Sequence, residues 1–139
     1  AVVDAKGQIL MKNQFNKLAI ANPKTAPYGE AAMETLGALK IKSLLEPKLV
    51  MGENIGQTYQ FVATGNAEIG FVALSQVTRD NKITSGSAWV VPEKLYSPIK
   101  QDAVLLVNGK DSPAARLLMT FLRSEDTLNV IKSYGYGVK

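Results

Sequence analysis

The sequence predicts an α/β fold: a mostly parallel sheet flanked by helices, with a pair of helices closing the chain. Three observations carry that expectation. Runs of strand character recur at Leu18-Ala19-Ile20-Ala21, Lys48-Leu49-Val50-Met51 and Ile69-Gly70-Phe71-Val72-Ala73-Leu74. Stretches rich in helix formers separate them, each opened by a turn signal. The last run is apolar almost throughout, as a parallel strand covered on both faces requires. Strand, helix, strand, helix, strand is the grammar of an α/β sheet.

Taken in order, Leu18–Ala21 is a buried strand closed by Asn22-Pro23, after which Lys24-Thr25-Ala26-Pro27 reads as a loop. From Tyr28 a helix follows, with Ala32, Leu36 and Leu39 at helical spacing and Pro27 at or just before its first turn. The second strand ends in the turn Gly52-Glu53-Asn54, and Ile55–Ala63 is the second helix. Asn54 suits its N-cap, with Gln57 three positions on, and Gly65 or Asn66 supplies a left-handed stop. Ala88–Val91 and Ala103–Val107 read as later strands, separated by a loop from Pro92 to Pro98. Two helices finish the chain: one capped by Asp111 or Ser112 with Pro113 in its first turn, one capped by Ser124 with Glu125 and Asp126 at its positive end. Gly135 is the expected terminator.

Composition narrows the chemistry. With 139 residues and 46% apolar content the chain can bury one core, as one domain or a piece of a larger protein. The net charge of +4 is spread, without a run of three basic residues, which speaks weakly for anions and against nucleic acid. The absence of cysteine and histidine removes disulfides, thiolate chemistry, the usual general base and the commonest zinc ligand. No catalytic residue, cofactor or metal centre is therefore expected, and a binding protein is favoured over an enzyme. No stretch is long and apolar enough to span a bilayer, and Ala1-Val2-Val3-Asp4 lacks the character of a signal peptide, so a soluble chain is expected whose export signal is absent or removed.

In an open α/β sheet, ligands gather beyond the carboxyl ends of the strands, where loops enter helix N-termini. Two such places exist, Pro27-Tyr28-Gly29 and Asn54-Ile55-Gly56. Free backbone N–H groups and aligned peptide dipoles make each a donor-only cradle for an anion. Gly29 and Gly56 would let a bulky oxyanion come close to the backbone. The bland alternative is that Pro27 and Asn54 merely start helices and the glycines ease packing, since most helix starts bind nothing.

Other candidates are weaker. Gly109-Lys110-Asp111-Ser112 echoes a phosphate-binding loop, but Val104 stands where its first glycine belongs and Asp111 where Ser or Thr is needed. Ser75 lacks the flanking glycines of a nucleophile elbow and reads as a helix cap. Tyr59, Phe61, Tyr134 and Tyr136 suit packing, and Trp89 a core or interface anchor.

Several blocks carry more than pattern. Ile20-Ala21-Asn22-Pro23-Lys24-Thr25-Ala26-Pro27-Tyr28-Gly29-Glu30, Gly52-Glu53-Asn54-Ile55-Gly56-Gln57, the run from Phe61 to Gln76, Tyr96–Val104, Ser112–Arg116 and Tyr134-Gly135-Tyr136 stand in the order of one family. From about Leu18 onward the chain resembles the periplasmic molybdate-binding proteins of molybdate ABC importers. The resemblance implies a type II periplasmic-binding-protein fold, with an oxyanion held between two lobes. It implies that Tyr28 and Ile55 give backbone N–H donors to molybdate or tungstate, with Pro27, Gly29, Asn54, Gly56, Ala73 and Ser75 as lining. Some relatives place an anion-binding tyrosine where Ala73 stands, a contact this chain cannot make.

By the same resemblance, residues 1–17 are a remnant of the first lobe or its crossover, 18–100 the second lobe, and 101–139 a return strand with helices that would pack on a first lobe. Half of the site would then lie elsewhere, so weak binding and self-association are expected of this chain alone. A membrane permease is the implied partner, and the periplasm or an anchored position at the cell surface the implied location. The alternatives are the effector-sensing domain of a transcription regulator, or a binding protein for another oxyanion such as sulfate.

Overall fold

A computed structural model describes residues 2–4 and 6–138. It opens with a short helix, α1 (Gln8–Lys12), whose N-terminus is held by Asp4: one carboxylate oxygen accepts from the N–H of Lys6 and Gln8, the other from Ile9. There follow β1 (Leu18–Ala21), α2 (Pro27–Ala38), α3 (Lys42–Leu45), a 3-10 turn at Glu46–Lys48, β2 (Leu49–Gly52), α4 (Ile55–Ala63), β3 (Ile69–Gly70) and α5 (Leu74–Val77). A small hairpin, β4 (Thr78–Arg79) and β5 (Lys82–Ile83), leads into an extended stretch with 3-10 turns at Glu93–Leu95 and Val107–Gly109. Helices α6 (Pro113–Phe121) and α7 (Glu125–Ser133) complete the chain.

The main sheet is parallel with order β2-β1-β3, in the register Ala21↔Gly52 and Leu18↔Ile69. The first crossover steps from β1 to β2 and the second steps back past β1 to β3. Right-handed crossovers in opposite directions put α2 and α4 on opposite faces. The residue alternation of β1 matches the two coverings. Leu18 and Ile20 join Ala32 and Leu36 of α2, with Leu10, Phe15, Ile41, Leu45 and Ile69, in one buried cluster. Small residues serve the α4 side: a Cβ on Gly70 would lie 2.6 Å from Val62, and one on Gly52 would lie 2.7 Å from the Thr58 hydroxyl. The fold thus seats α4 close to the sheet without large side chains between.

The fold class and the first four predicted elements stand. β1 and α4 have the expected bounds, and α2 starts at Pro27. The caps also form, with Asn54 Oδ1, Ser112 Oγ and Ser124 Oγ accepting from Gln57, Ala115 and Thr127 N–H. Gly65 and Gly135 take the left-handed conformation, at φ 77° and 84°. Three expectations are corrected. The third strand pairs over Ile69–Gly70 only, because Gly70 is opposite Ala19, beyond which the N–H of Phe71 still bonds to the Ala19 carbonyl but the chain leaves the sheet. Ala88–Val91 is not a strand, and neither is the return strand Ala103–Val107. A strand exists through its neighbours, and neither segment has a ladder partner among the described residues. Val104 and Val107 are 77% and 76% exposed, so their apolar pattern has nothing to face.

Helices α1 and α3 and the β4–β5 hairpin are too short for periodicity to register in the sequence. The hairpin turn is nevertheless chemically explicit: Asp80 and Asn81 both have positive φ, 51° and 60°, as a two-residue type I′ turn demands. Ahead of β1, Leu10 and Phe15 belong to the core and Trp89 lies against Gly7.

Candidate functional site

The carboxyl ends of β1 and β2 are neighbours, and the N–H of Asn22 bonds to the Gly52 carbonyl at 2.8 Å, joining the two loops that follow them. After β1 the chain winds tightly. Asn22 accepts from Thr25 and Ala26 N–H through its carbonyl and from Lys24 N–H through its side chain. This turn delivers Ala26 as the N-cap of α2 in extended conformation, with no side-chain oxygen to offer. Pro27 has no N–H, Gly29 and Glu30 bond back to the Ala26 carbonyl, and the N–H of Tyr28 has no acceptor among the described residues. At α4 the Asn54 side chain takes only the Gln57 N–H, while Gln57 Oε1 reaches back to the Glu53 N–H at 2.6 Å. Ile55 and Gly56 keep their N–H groups without an acceptor among the described residues.

Two adjacent helix starts therefore present backbone donors at one edge of the sheet, with the dipoles of a 12-residue and a 9-residue helix behind them. Such a site accepts an anion with acceptor oxygens and offers nothing to a group that must donate. Glu30 in the first turn of α2 and Glu53 just before α4 are the acidic side chains near these starts in sequence, and both are exposed. The two glycines differ. Gly56 is exposed, and a Cβ there would meet only the Asn54 side chain, at 3.2 Å. Gly29 is buried, and a Cβ would lie 2.1 Å from the Ala21 carbonyl oxygen. Gly29 thus allows α2 to cross the end of β1; it does not open the backbone to a ligand.

The remaining lining candidates fall on α5. Ala73 is buried, and its N–H is taken by Gln76 Oε1 at 2.9 Å, so it supplies packing and no free donor. Gln76 also donates to the Ile55 carbonyl at 3.1 Å, tying α5 to the start of α4. Ser75 is not a cap: it lies within α5, and its hydroxyl is 2.9 Å from that of Tyr136. Pro27 is exposed at the first position of α2.

A cluster around the Tyr28 side chain was not read from sequence. Its hydroxyl accepts from Gln101 Nε2 at 2.9 Å. Burial pushes the phenol above its ordinary value of 10.0, the adjoining Tyr136 pushes it further, and the Gln101 hydrogen bond opposes them. The only signal toward this cluster is the place of Gln101 and Tyr136 in the matching blocks, since a lone glutamine looks like surface and a tyrosine after a helix suits packing. Among the described residues no group of three His, Cys, Asp or Glu side chains converges, and no helix is long and apolar enough to cross a membrane.

Comparison with known proteins supplies the family. The chain is 56% identical over 137 residues to the molybdate-binding protein ModA of Azotobacter vinelandii, covering 99% of this chain and 54% of that protein. It is 51% identical to the ModA of Rhodobacter capsulatus, covering 98% and 52%. The chain thus spans about half the length of the curated relatives it matches. A solved periplasmic molybdate-binding protein from Azotobacter vinelandii superposes with a TM-score of 0.92 at 33% identity, over 100% of this chain and 61% of that one. The substrate-binding domain of a putative molybdenum ABC transporter from Clostridium difficile gives 0.71 at 28% identity, covering 100% and 59%. The family described as bacterial extracellular solute-binding protein matches residues 4–137, and the chain belongs to it.

Proposed function

We propose that this chain is the second lobe and closing segment of the solute-binding component of an ABC importer, and that it carries half of a site for molybdate. The observation behind the reading is the pair of uncapped donors, Tyr28 N–H and Ile55 N–H, at neighbouring helix starts. That the relatives are named as molybdate-binding proteins supports molybdate as the ligand of this pair. Residues 18–100 form the lobe, with Leu10 and Phe15 of the preceding segment packing into it. The helices of 101–139 meet a first lobe that supplies the other donors, which fits their having no buried residue here.

Neutral N–H groups replace the water shell of a dianion, and closure of two lobes over it converts donor geometry into affinity. A site made of donors penalises protonated phosphate, whose O–H requires an acceptor. Molybdate is separated from sulfate by cavity size, and tungstate, of nearly the same size, is retained. Delivery to a membrane permease from the periplasm follows from this role. A binding function also accords with residues that offer donors and no general base.

Calorimetric titration of the 139-residue chain with molybdate, tungstate and sulfate tests the reading. Weak binding of molybdate and tungstate, with sulfate weaker still, is expected. Tight binding by a verified monomer would sink the half-site argument, and equal response to sulfate would sink the molybdate assignment.

A further inference from the structure

The four-residue helix α5 bonds directly to the start of α4 and reaches the start of α2 through Tyr136 of the tail. Toward α4, Gln76 uses both ends of its amide: Oε1 accepts from the Ala73 N–H at 2.9 Å, and Nε2 donates to the Ile55 carbonyl at 3.1 Å. Toward α2, Ser75 meets the Tyr136 hydroxyl at 2.9 Å, and the Tyr136 phenol adjoins that of Tyr28. The tail carrying Tyr136 is itself seated on this region. A Cβ on Gly135 would lie 2.6 Å from Leu74, and the Asn81 N–H bonds to the Ser133 carbonyl at 3.0 Å. Gln101 completes the arrangement from a different segment, donating to the Tyr28 hydroxyl at 2.9 Å.

We propose that α5 is a tether fixing the two helix starts relative to each other, with Gln76 a positioning residue for Ile55 and Tyr136, seated on Ser75, a positioning residue for Tyr28. An oxyanion bridging two N–H groups requires both to aim at one point. The Gln76 hydrogen bond to the Ile55 carbonyl and the Gln101 hydrogen bond to the Tyr28 hydroxyl, with Tyr136 beside the same phenol, restrain that aim without occupying the donors. The tether rests on the oxyanion reading for its purpose, but its mechanics are a property of the ligand-free chain. It also makes the carboxyl-terminal tail part of the site's framework, although the tail lies more than a hundred residues beyond Tyr28 in sequence.

The test is amide 15N relaxation on the ligand-free 139-residue chain. In Gln76→Ala the order parameters of Ile55 and Gly56 should fall from about 0.85 toward 0.6, and in Tyr136→Phe those of Tyr28 and Gly29 should fall similarly. Each variant should leave the other helix start and β1 unchanged, which general loosening of the fold would not do. Gln76→Glu keeps the acceptor for the Ala73 N–H and loses the donor to Ile55, so it should loosen Ile55 alone. Tyr59→Phe, on α4 but outside the tether, should change nothing. Unchanged order parameters at Ile55 and Tyr28, or equal loosening of β1, would overturn the tether. Molybdate titration of the wild-type amides is read separately: no shift at Tyr28 and Ile55 counts against the oxyanion reading and leaves the relaxation result standing.

Discussion

At the residue scale, the two glycines beside the donors have opposite tolerances. Gly29→Ala drives a methyl into the Ala21 carbonyl, a backbone atom that can move only with β1, so a loss of about 3 kcal/mol or more is expected in denaturant unfolding. Gly56→Ala meets only the tip of Asn54 and should be near neutral in stability, while placing a methyl beside the free N–H groups. Should the two variants unfold at the same denaturant concentration, the packing role of Gly29 is wrong. Asn54→Ala removes the acceptor of the Gln57 N–H and should cost about 1 kcal/mol without altering the sheet. Tyr28 gives the pH prediction. Its phenol is held above 10.0 first by burial, so its contribution is complete below the unfolded value and is lost as pH climbs through the folded one. Melting temperature followed upward from pH 9 should therefore fall more in the wild type than in Tyr28→Phe, with the difference opening above about pH 10.

At the element scale, what the sequence disclosed depended on what each element satisfies by itself. Helices α4, α6 and α7 carry their start signals in Asn54, Ser112 and Ser124, and a cap acts locally whatever the surroundings. The donors at Tyr28 and Ile55 were legible for the same reason, because a helix start always exposes N–H groups. Strands borrow their hydrogen bonds. Leu18–Ala21 lies between two partners and forms as expected, whereas Ala103–Val107 has equal apolar character and no ladder. The Tyr28–Tyr136–Ser75–Gln101 cluster was invisible because it joins four distant segments through polar tips, which leave no periodicity. The same long-range logic applies to the loop before β1. Glu68 accepts from the N–H of Lys17 and from Asn16, and these bonds, the Lys17 one foremost, hold its carboxyl below the usual value of 4.5. This contribution is present above the unfolded pKa and is lost as pH falls through the folded one. Protection of the Asn16 and Lys17 amides, measured against their intrinsic exchange rates, should fall in acid in the wild type and be low already at neutral pH in Glu68→Ala. Equal exchange in both at neutral pH would dismiss the clamp.

At the scale of the whole molecule, the buried residues all lie in the first part of the chain, and residues 101–138 contain none. Helix α6 has the pattern of a core helix, yet Leu117 is 71% and Phe121 57% exposed, and with Ala114 and Leu118 they line an open apolar groove. Val130 of α7 extends this surface next to Phe121. A contiguous apolar face of this kind is covered in a stable protein. The proposed first lobe would cover it, consistent with relatives about twice as long. Taken alone at 139 residues, the chain should use a second copy instead, since two like faces can bury each other. Sedimentation should then show a concentration-dependent monomer–dimer equilibrium that weakens on cooling, as hydrophobic association does. Leu117→Glu with Phe121→Glu should give a monomer at all concentrations with unchanged far-ultraviolet dichroism, because neither side chain supports the core. A double variant that still dimerises would assign the contact to another surface, and one that unfolds would show that α6 is needed by the lobe itself.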